Sequence, residues 1–359
     1  MKRSPGWSGS KGTPIAAVGE FGLIDRLHRI VEEETARLGV TTDSVSIGIG
    51  DDTAAIRPSP GFETLVTCDI QVDGRHFLRE WITPHDLGAR IGTINLSDIA
   101  AMGGIPRAAI VSLAIGPGAA VEDLEELYRG LTRRLGEHGA TLIGGNVSGI
   151  SEGLILDLTL LGEVEIGRAV RRSGVAPGQI VWATGMPGAS AAGFALLQAG
   201  WTGGEDGDLD ALISAYLHPV PRVAEGRRLG ETGLARAMID LSDGLVGDLR
   251  HLVERRPFGI LLRAENLPIG EELRRAAIEL GRSPQSFLLE ASDDYELLFT
   301  TDPDAVDPVT ELFAGPGRPP VQPIGEVVGD FAGEVVLEDV DGRIRPASPT
   351  GWDHFPSGG

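Results

Sequence analysis

"INLSDIAAMGG", residues 94–104, sets an aspartate, Asp98, in the middle of what reads as a buried helix. The helix opens upstream at Thr83-Pro84-His85-Asp86: an N-cap threonine, a proline at the first helical position and an acid in the first turn. Leu87, Ile91 and Ile94 follow at helical spacing, and the next position on that apolar face is Asp98. A charge left unpaired there costs too much, so Asp98 needs a partner.

Strand-like runs at 64–68 and 107–115 flank this helix, and another lies at 45–49. Residues 20–38 read as an amphipathic helix with Phe21, Ile24, Leu27, Ile30, Val31 and Leu38 inward. A helix over 121–137, the strand "TLIGG" (141–145) and a strand over 154–164 complete the first half. The polar passage "GRAVRRSGVAPGQ" marks a junction, which predicts a tail over 1–18, a domain over 19–166 and a second over 167–359.

The second half repeats the mixture. Strand "IVWATG" precedes a Gly/Ala-rich helix over 189–197, and "AMIDLSD" precedes a helix beginning near Gly244. Further strands are expected at 259–263, 295–301, 322–328 and 333–337, with "WTGGEDGDLD" as a surface loop. The fold class is α/β, of the α+β type, with two mixed-sheet domains.

The chain has 359 residues, enough for two cores, and a net charge of −21, which argues against nucleic acid and anionic membranes as partners. One cysteine, Cys68, excludes an intrachain disulfide framework. No run approaches a membrane span, and the basic start lacks an apolar core, so a cytoplasmic protein with a disordered tail is expected. The only lysines are Lys2 and Lys11, in that tail, and "GWSGSKGT" lacks the order of a P-loop. Phosphate chemistry here falls to arginine, backbone amides or metal ions.

Several acids sit just past apolar strands in glycine-rich surroundings: Asp51-Asp52, Asp69, Asp240 with Asp243, and Asp293-Asp294. Taken singly, each reads equally as a turn former or a helix cap. Asp98 has no such reading in mid-helix. Convergence on divalent cations, Mg²⁺ above all, accounts for the whole set. The histidines are scattered, with no i, i+4 pair to favour a transition metal.

With these motifs in order the chain resembles the thiamine-monophosphate kinase family, whose superfamily also holds aminoimidazole ribonucleotide synthetase and selenophosphate synthetase. The likeness runs from "GEFGLIDRL" (19–27) to "GWDHF" (351–355), through "GIGDDTAAI", "TCDIQVDGRHF", "NLSDIAAMGG", "LIGGN", "RRSGVAPG", "GASAAGFALL", "HPVPR", "MIDLSDGLVGDL" and "DDYELLF". The resemblance implies ATP- and Mg²⁺-dependent phosphorylation of thiamine monophosphate by a homodimer whose N-terminal sheets pair. It matches Asp52, Thr67, Cys68, Asp69, Asp98, Asn146, Asp240 and Asp243 to metal ligands. It matches Tyr128, Gly145, Asn146, Arg172 and Ser242 to nucleotide contacts, and His76, Asp293 and Trp352 to the thiamine phosphate. No covalent nucleophile is implied.

Three departures stand at the site. Asn146 replaces the aspartate of the family's Gly-Gly-Asp-Thr, Cys68 replaces a threonine, and Ala291-Ser292-Asp293 replaces Gly-Gly-Glu. Asparagine can coordinate Mg²⁺ but brings no charge, and a thiol is a poor ligand for it, leaving the Cys68 carbonyl. Two other readings follow: a different ATP-using reaction of the superfamily, or a catalytically impaired nucleotide- or thiamine-phosphate-binding paralogue.

Overall fold

The computed structural model of the chain describes residues 6–8, 11–204 and 207–347. Met1–Ile99 with Gly104–Gly167 form one compact unit, and Ala100–Gly103 with Arg168–Gly359 form another. No described helix is long and apolar enough to cross a membrane.

The first unit runs α1 (Ile15–Leu38), β1 (Val45–Ile47), β2 (Ala55–Ile56), β3 (Phe62–Val72), α2 (Pro84–Ala101), β4 (Ile105–Ile115), α3 (Val121–Glu137), β5 (Thr141–Gly149) and β6 (Leu154–Glu165). Its main sheet has the order β3-β6-β4-β5, and only the β4–β5 pair is parallel. Period-two patterning sets the faces. Leu156, Leu158 and Leu160 of β6 are wholly buried, while Asp157 and Thr159 between them are half-buried on the other face.

The start of α2 is capped from both sides: the Thr83 hydroxyl oxygen accepts the Asp86 N–H at 3.1 Å and donates to the Asp86 carboxylate at 2.5 Å. Leu87 and Ile91 are fully buried, as the spacing requires. Helices α2 and α3 touch backbone to backbone. A Cβ on Gly88 would lie 1.9 Å from the Leu127 carbonyl oxygen, and one on Gly130 would lie 1.8 Å from that of His85.

Two expectations fail around α1. Residues 15–18, assigned to the tail, form a helical turn that non-helical Gly19 (φ 70°, ψ 173°) sets off from the expected 20–38 helix, and Pro14 bridges to Ala120. Thr13 explains why: its N–H and hydroxyl donate to Glu122 at 2.8 and 2.6 Å, and its carbonyl accepts the Val121 N–H. Phe21 is 79% exposed. The buried stripe is Leu23, Leu27, Ile30 and Val31, and a residue two before Leu23 points roughly 200° away from it.

The second unit runs β7 (Ile180–Thr184), α4 (Ala189–Gln198), α5 (Gly207–Leu217), α6 (Val223–Thr232), β8 (Ala237–Leu241), α7 (Leu245–Val253), β9 (Gly259–Arg263), α8 (Glu271–Leu280), α9 (Pro284–Leu289), β10 (Glu296–Thr301), α10 (Val306–Phe313), β11 (Val321–Val328), β12 (Val335–Glu338) and β13 (Ile344–Pro346). The sheet order is β13-β12-β9-β11-β7-β10-β8, with β12–β9 the parallel pair. Every residue of β8 and β10 is buried, including the polar Asp240, Glu296, Thr300 and Thr301. Trp182, Phe299 and Phe313 stack in series, with centroids 6.1 and 6.2 Å apart. The loop expected over 201–210 gives way to α5 at Gly207, where acids at 208 and 210 favour a helix start.

Candidate functional site

In the first unit Asp98 has a side-chain partner. The Thr67 hydroxyl donates to the Asp98 carboxylate, across the seam between β3 and α2. Thr67 pairs with Leu160 and Asp69 with Leu158, so both lie on the helix-covered face. Thr67, Asp69 and Asp98 therefore present oxygen donors on one side of the sheet. Such a set suits a hard divalent cation.

Cys68 and Asn146 do not join them. The Cys68 thiol donates to Asp157 at 3.2 Å, on the opposite face. Asn146 is exposed and pairs with Ser112, which in turn faces Asp157. A hydrogen bond from Thr159 lowers the Cys68 thiol's pKa, but burial, Asp157 and Asp69 outweigh it and raise the value overall. A thiol held protonated is a poor ligand, which leaves the Cys68 carbonyl as its donor.

Asp52 is exposed in a turn, its N–H bonded to Asp51 at 2.8 Å. Gly145 lies against β4, where a Cβ would meet the Val111 carbonyl oxygen at 2.2 Å. Tyr128 is 6% exposed on α3, and burial pushes its phenol up. His76 follows β3, and its Nδ1 accepts the Val72 N–H at 3.0 Å. That bond places the neutral ring's proton on Nε2.

In the second unit the turn after β8 gathers Ser242, Asp243 and a residue the sequence reading passed over, Asp248. The Asp248 carboxylate accepts the N–H groups of both Ser242 and Asp243 at 3.0 Å. It is 2% exposed. Burial pushes its carboxyl up to about 7, against the pull of those N–H groups and the Arg172 charge. Oxygen or nitrogen donors of Asp243, Asp248 and His251 lie within 4.8 Å of one another. Gly244 has φ 111°, and a Cβ there would sit 2.4 Å from the Glu290 carbonyl oxygen. Asp240 is buried on β8. Arg172, Ser242 and Asp243 thus share one neighbourhood.

A second buried acid works alike. Asp294 accepts the N–H groups of Gly188 and Ser190, at 2.7 and 2.8 Å, and so closes the start of α4. Burial pushes it up to about 6. Asp293, beside it, stays half-buried. Tyr295 then takes a left-handed φ of 53°, with its N–H on the Leu241 carbonyl at 2.7 Å. Glu296 accepts from Thr184 and Arg222, each at 2.6 Å. A sequence signal existed: "GLVGDL" places Asp248 on the apolar stripe of α7, an anomaly like that of Asp98. Trp352 lies outside the described residues.

The chain is similar to known proteins along most of its length. Residues 50–164 match the AIR synthase related protein, N-terminal domain, and residues 176–338 match the C-terminal domain of the same name. The thiamine-monophosphate kinase of Escherichia coli K12 is 36% identical over 343 residues, covering 94% of this chain and 99% of the relative. A crystal structure of the Stenotrophomonas maltophilia enzyme of that name superimposes with a TM-score of 0.77 at 32% identity, over 86% of this chain and 96% of the other. AaThiL complexed with AMPPCP and TMP gives 0.72 at 31%, over 95% and 98%. With both domains matched in order and a relative aligned nearly end to end, the chain belongs to the thiamine-monophosphate kinase family.

Proposed function

We propose that the chain transfers the γ-phosphoryl group of ATP onto the phosphate of thiamine monophosphate, giving thiamine diphosphate and ADP. The observation that carries this is the near end-to-end likeness to AaThiL, solved with AMPPCP and TMP.

Phosphoryl transfer asks the protein for positioning and charge neutralisation, not for a covalent nucleophile. With lysine confined to positions 2 and 11, cations must supply most of that neutralisation. Thr67, Asp69 and Asp98 in one unit, and Asp240 and Asp243 in the other, would hold Mg²⁺. Bound there, Mg²⁺ would offset phosphate charge as it accumulates. Arg172 and Ser242 would meet the nucleotide, Arg172 as the cationic donor and Ser242 by its hydroxyl and main chain. His76 and Asp293 would orient the thiamine phosphate, His76 donating through Nε2.

The functional unit is a homodimer. Val66, Ile70 and Ile110 are 66%, 46% and 41% exposed, and all lie on the outward face of the first unit's sheet. A second copy of that face would cover them. Incubating the protein with ATP, Mg²⁺ and thiamine monophosphate tests the reaction, with thiamine diphosphate and ADP expected in equal amounts. ATP bound but not turned over, with turnover restored by Asn146→Asp, would favour the impaired-paralogue reading.

A further inference from the structure

Residues 6–8 and 11–14 lie along the first unit, with Trp7 against the limb that follows the His76 turn and Ser8, Thr13 and Pro14 against the start of α3. The Trp7 indole N–H donates to the Ile82 carbonyl oxygen at 2.8 Å. The Arg79 guanidinium stacks over the Trp7 ring, 4.7 Å from its centroid. Arg79 Nε lies 2.7 Å from Asp73 Oδ2, an ion pair by distance. Asp73 opens the turn and Arg79 closes it, with His76 between them.

Within that turn the main chain is already tight. Gly74 N–H donates to the Phe77 carbonyl and His76 N–H to that of Val72, each at 2.9 Å. The turn thus holds His76 locally, but its outer limb, from Leu78 to Ile82, leans on Trp7. Trp7 is itself fixed from behind. Ser8 N–H donates to Asp123 at 2.7 Å, and Thr13 is tied to Glu122 at the start of α3. Asp123 is 2% exposed and also accepts the Ala120 N–H, so the anchor belongs to the helix cap.

We propose that this N-terminal segment is a strap, and that Trp7 is a positioning residue which fixes the His76 turn for the phosphate-bearing thiazolium substrate. The claim rests on the reading that His76 meets thiamine monophosphate. Trp7 acts through Arg79 and the Ile82 carbonyl and touches no reacting atom. Its loss would leave the nucleotide side of the site unchanged, since its hydrogen bond and its ring contact are made to Ile82 and Arg79.

The test uses the full chain as wild type, Trp7→Ala and Trp7→Phe. Hydrogen exchange at the amides of 73–82 is followed against those of β4 and β6, which report whether the unit is folded. One hydrogen bond and one cation–π contact are worth about tenfold together, so exchange at 73–82 should rise by about that factor in Trp7→Ala. KM for thiamine monophosphate should rise about fivefold or more while KM for ATP stays within about twofold. Trp7→Phe keeps a ring under Arg79 and should fall between the two. Unchanged exchange at 73–82 would overturn the strap. Faster exchange with both KM values unmoved, or moved equally, would overturn the positioning role. A wild-type chain that binds thiamine monophosphate by calorimetry yet makes no diphosphate breaks the proposed reaction, and the strap is then judged by exchange and by that binding. Wild type that binds no thiamine monophosphate overturns both.

Discussion

Asp98 in the first unit meets another side chain, the Thr67 hydroxyl, whereas Asp248 and Asp294 in the second meet main-chain N–H groups. All are acids on helices or at strand ends in glycine-rich sequence, yet their partners assign them different work. An acid that accepts two N–H groups is satisfied within the fold and holds a turn in place. An acid bonded to a hydroxyl on the face that also carries Asp69 adds negative charge there, a donor set that suits a hard cation. In the first unit the acid faces a hydroxyl on the sheet; in the second, Asp248 and Asp294 shape the turns that bear Ser242, Asp243 and Asp293.

The largest effect expected is on Asp98. Asp98→Asn should cut turnover on the order of a hundredfold or more while leaving urea unfolding cooperative, since the change relieves charge and preserves shape. Unfolding of the variant with metal affinity intact would place Asp98 with the structural acids and break the contrast.

Asp248→Ala should act through stability. It strands two N–H groups in a turn, which costs about 2–4 kcal/mol. Chemical denaturation measures that loss, and KM for ATP should rise with it as Ser242 and Asp243 lose their hold. Normal stability with lost turnover would move Asp248 to the side of the cation-binding acids.

Asp294 sharpens the comparison through pH. Its folded pKa of about 6 lies above the ordinary 3.8, so between those values the folded state binds the extra proton. Stability from this group is full below about pH 4, falls as pH rises, and levels off above about pH 6, by about 3 kcal/mol in all. Asp294→Asn should flatten that part of the stability–pH curve, and an unaltered slope would show that another group carries it. The smallest effect expected is from Cys68→Ser, within about twofold in turnover, because the thiol sits on the outward face with Asp157.

Most of the framework was legible because its periods are clean. The 121–137 helix, the "INLSDIAAMGG" helix and the strands at 154–164 and 259–263 stand within a residue or so of their expected places. Asp98 announced itself by breaking an apolar stripe. Phe21 misled because hydrophobicity alone does not fix rotation about a helix axis, and Leu23, which was not in the expected set, holds the true stripe. The roles of Asp248 and Asp294 were hidden for another reason. Their partners are main-chain N–H groups five or six residues away in one case and over a hundred in the other, and every residue but proline carries an N–H. Residue type says nothing about which of them an acid will find. The sides taken by Cys68 and Asn146 depend on strand register, and β5 is shifted against β4 by an irregularity between Ala109 and Ile110.

The bare contact of α2 on α3 at Gly88 and Gly130 reaches beyond packing. Side chains that interdigitate can drift over generations, one swelling as its neighbour shrinks. Two backbones in contact have no such slack, so even a methyl group at either glycine would lever the helix and move Asp98 with it. Substitutions on the outer surfaces of these helices leave that contact untouched, while the two glycines fix the spacing between α2 and α3.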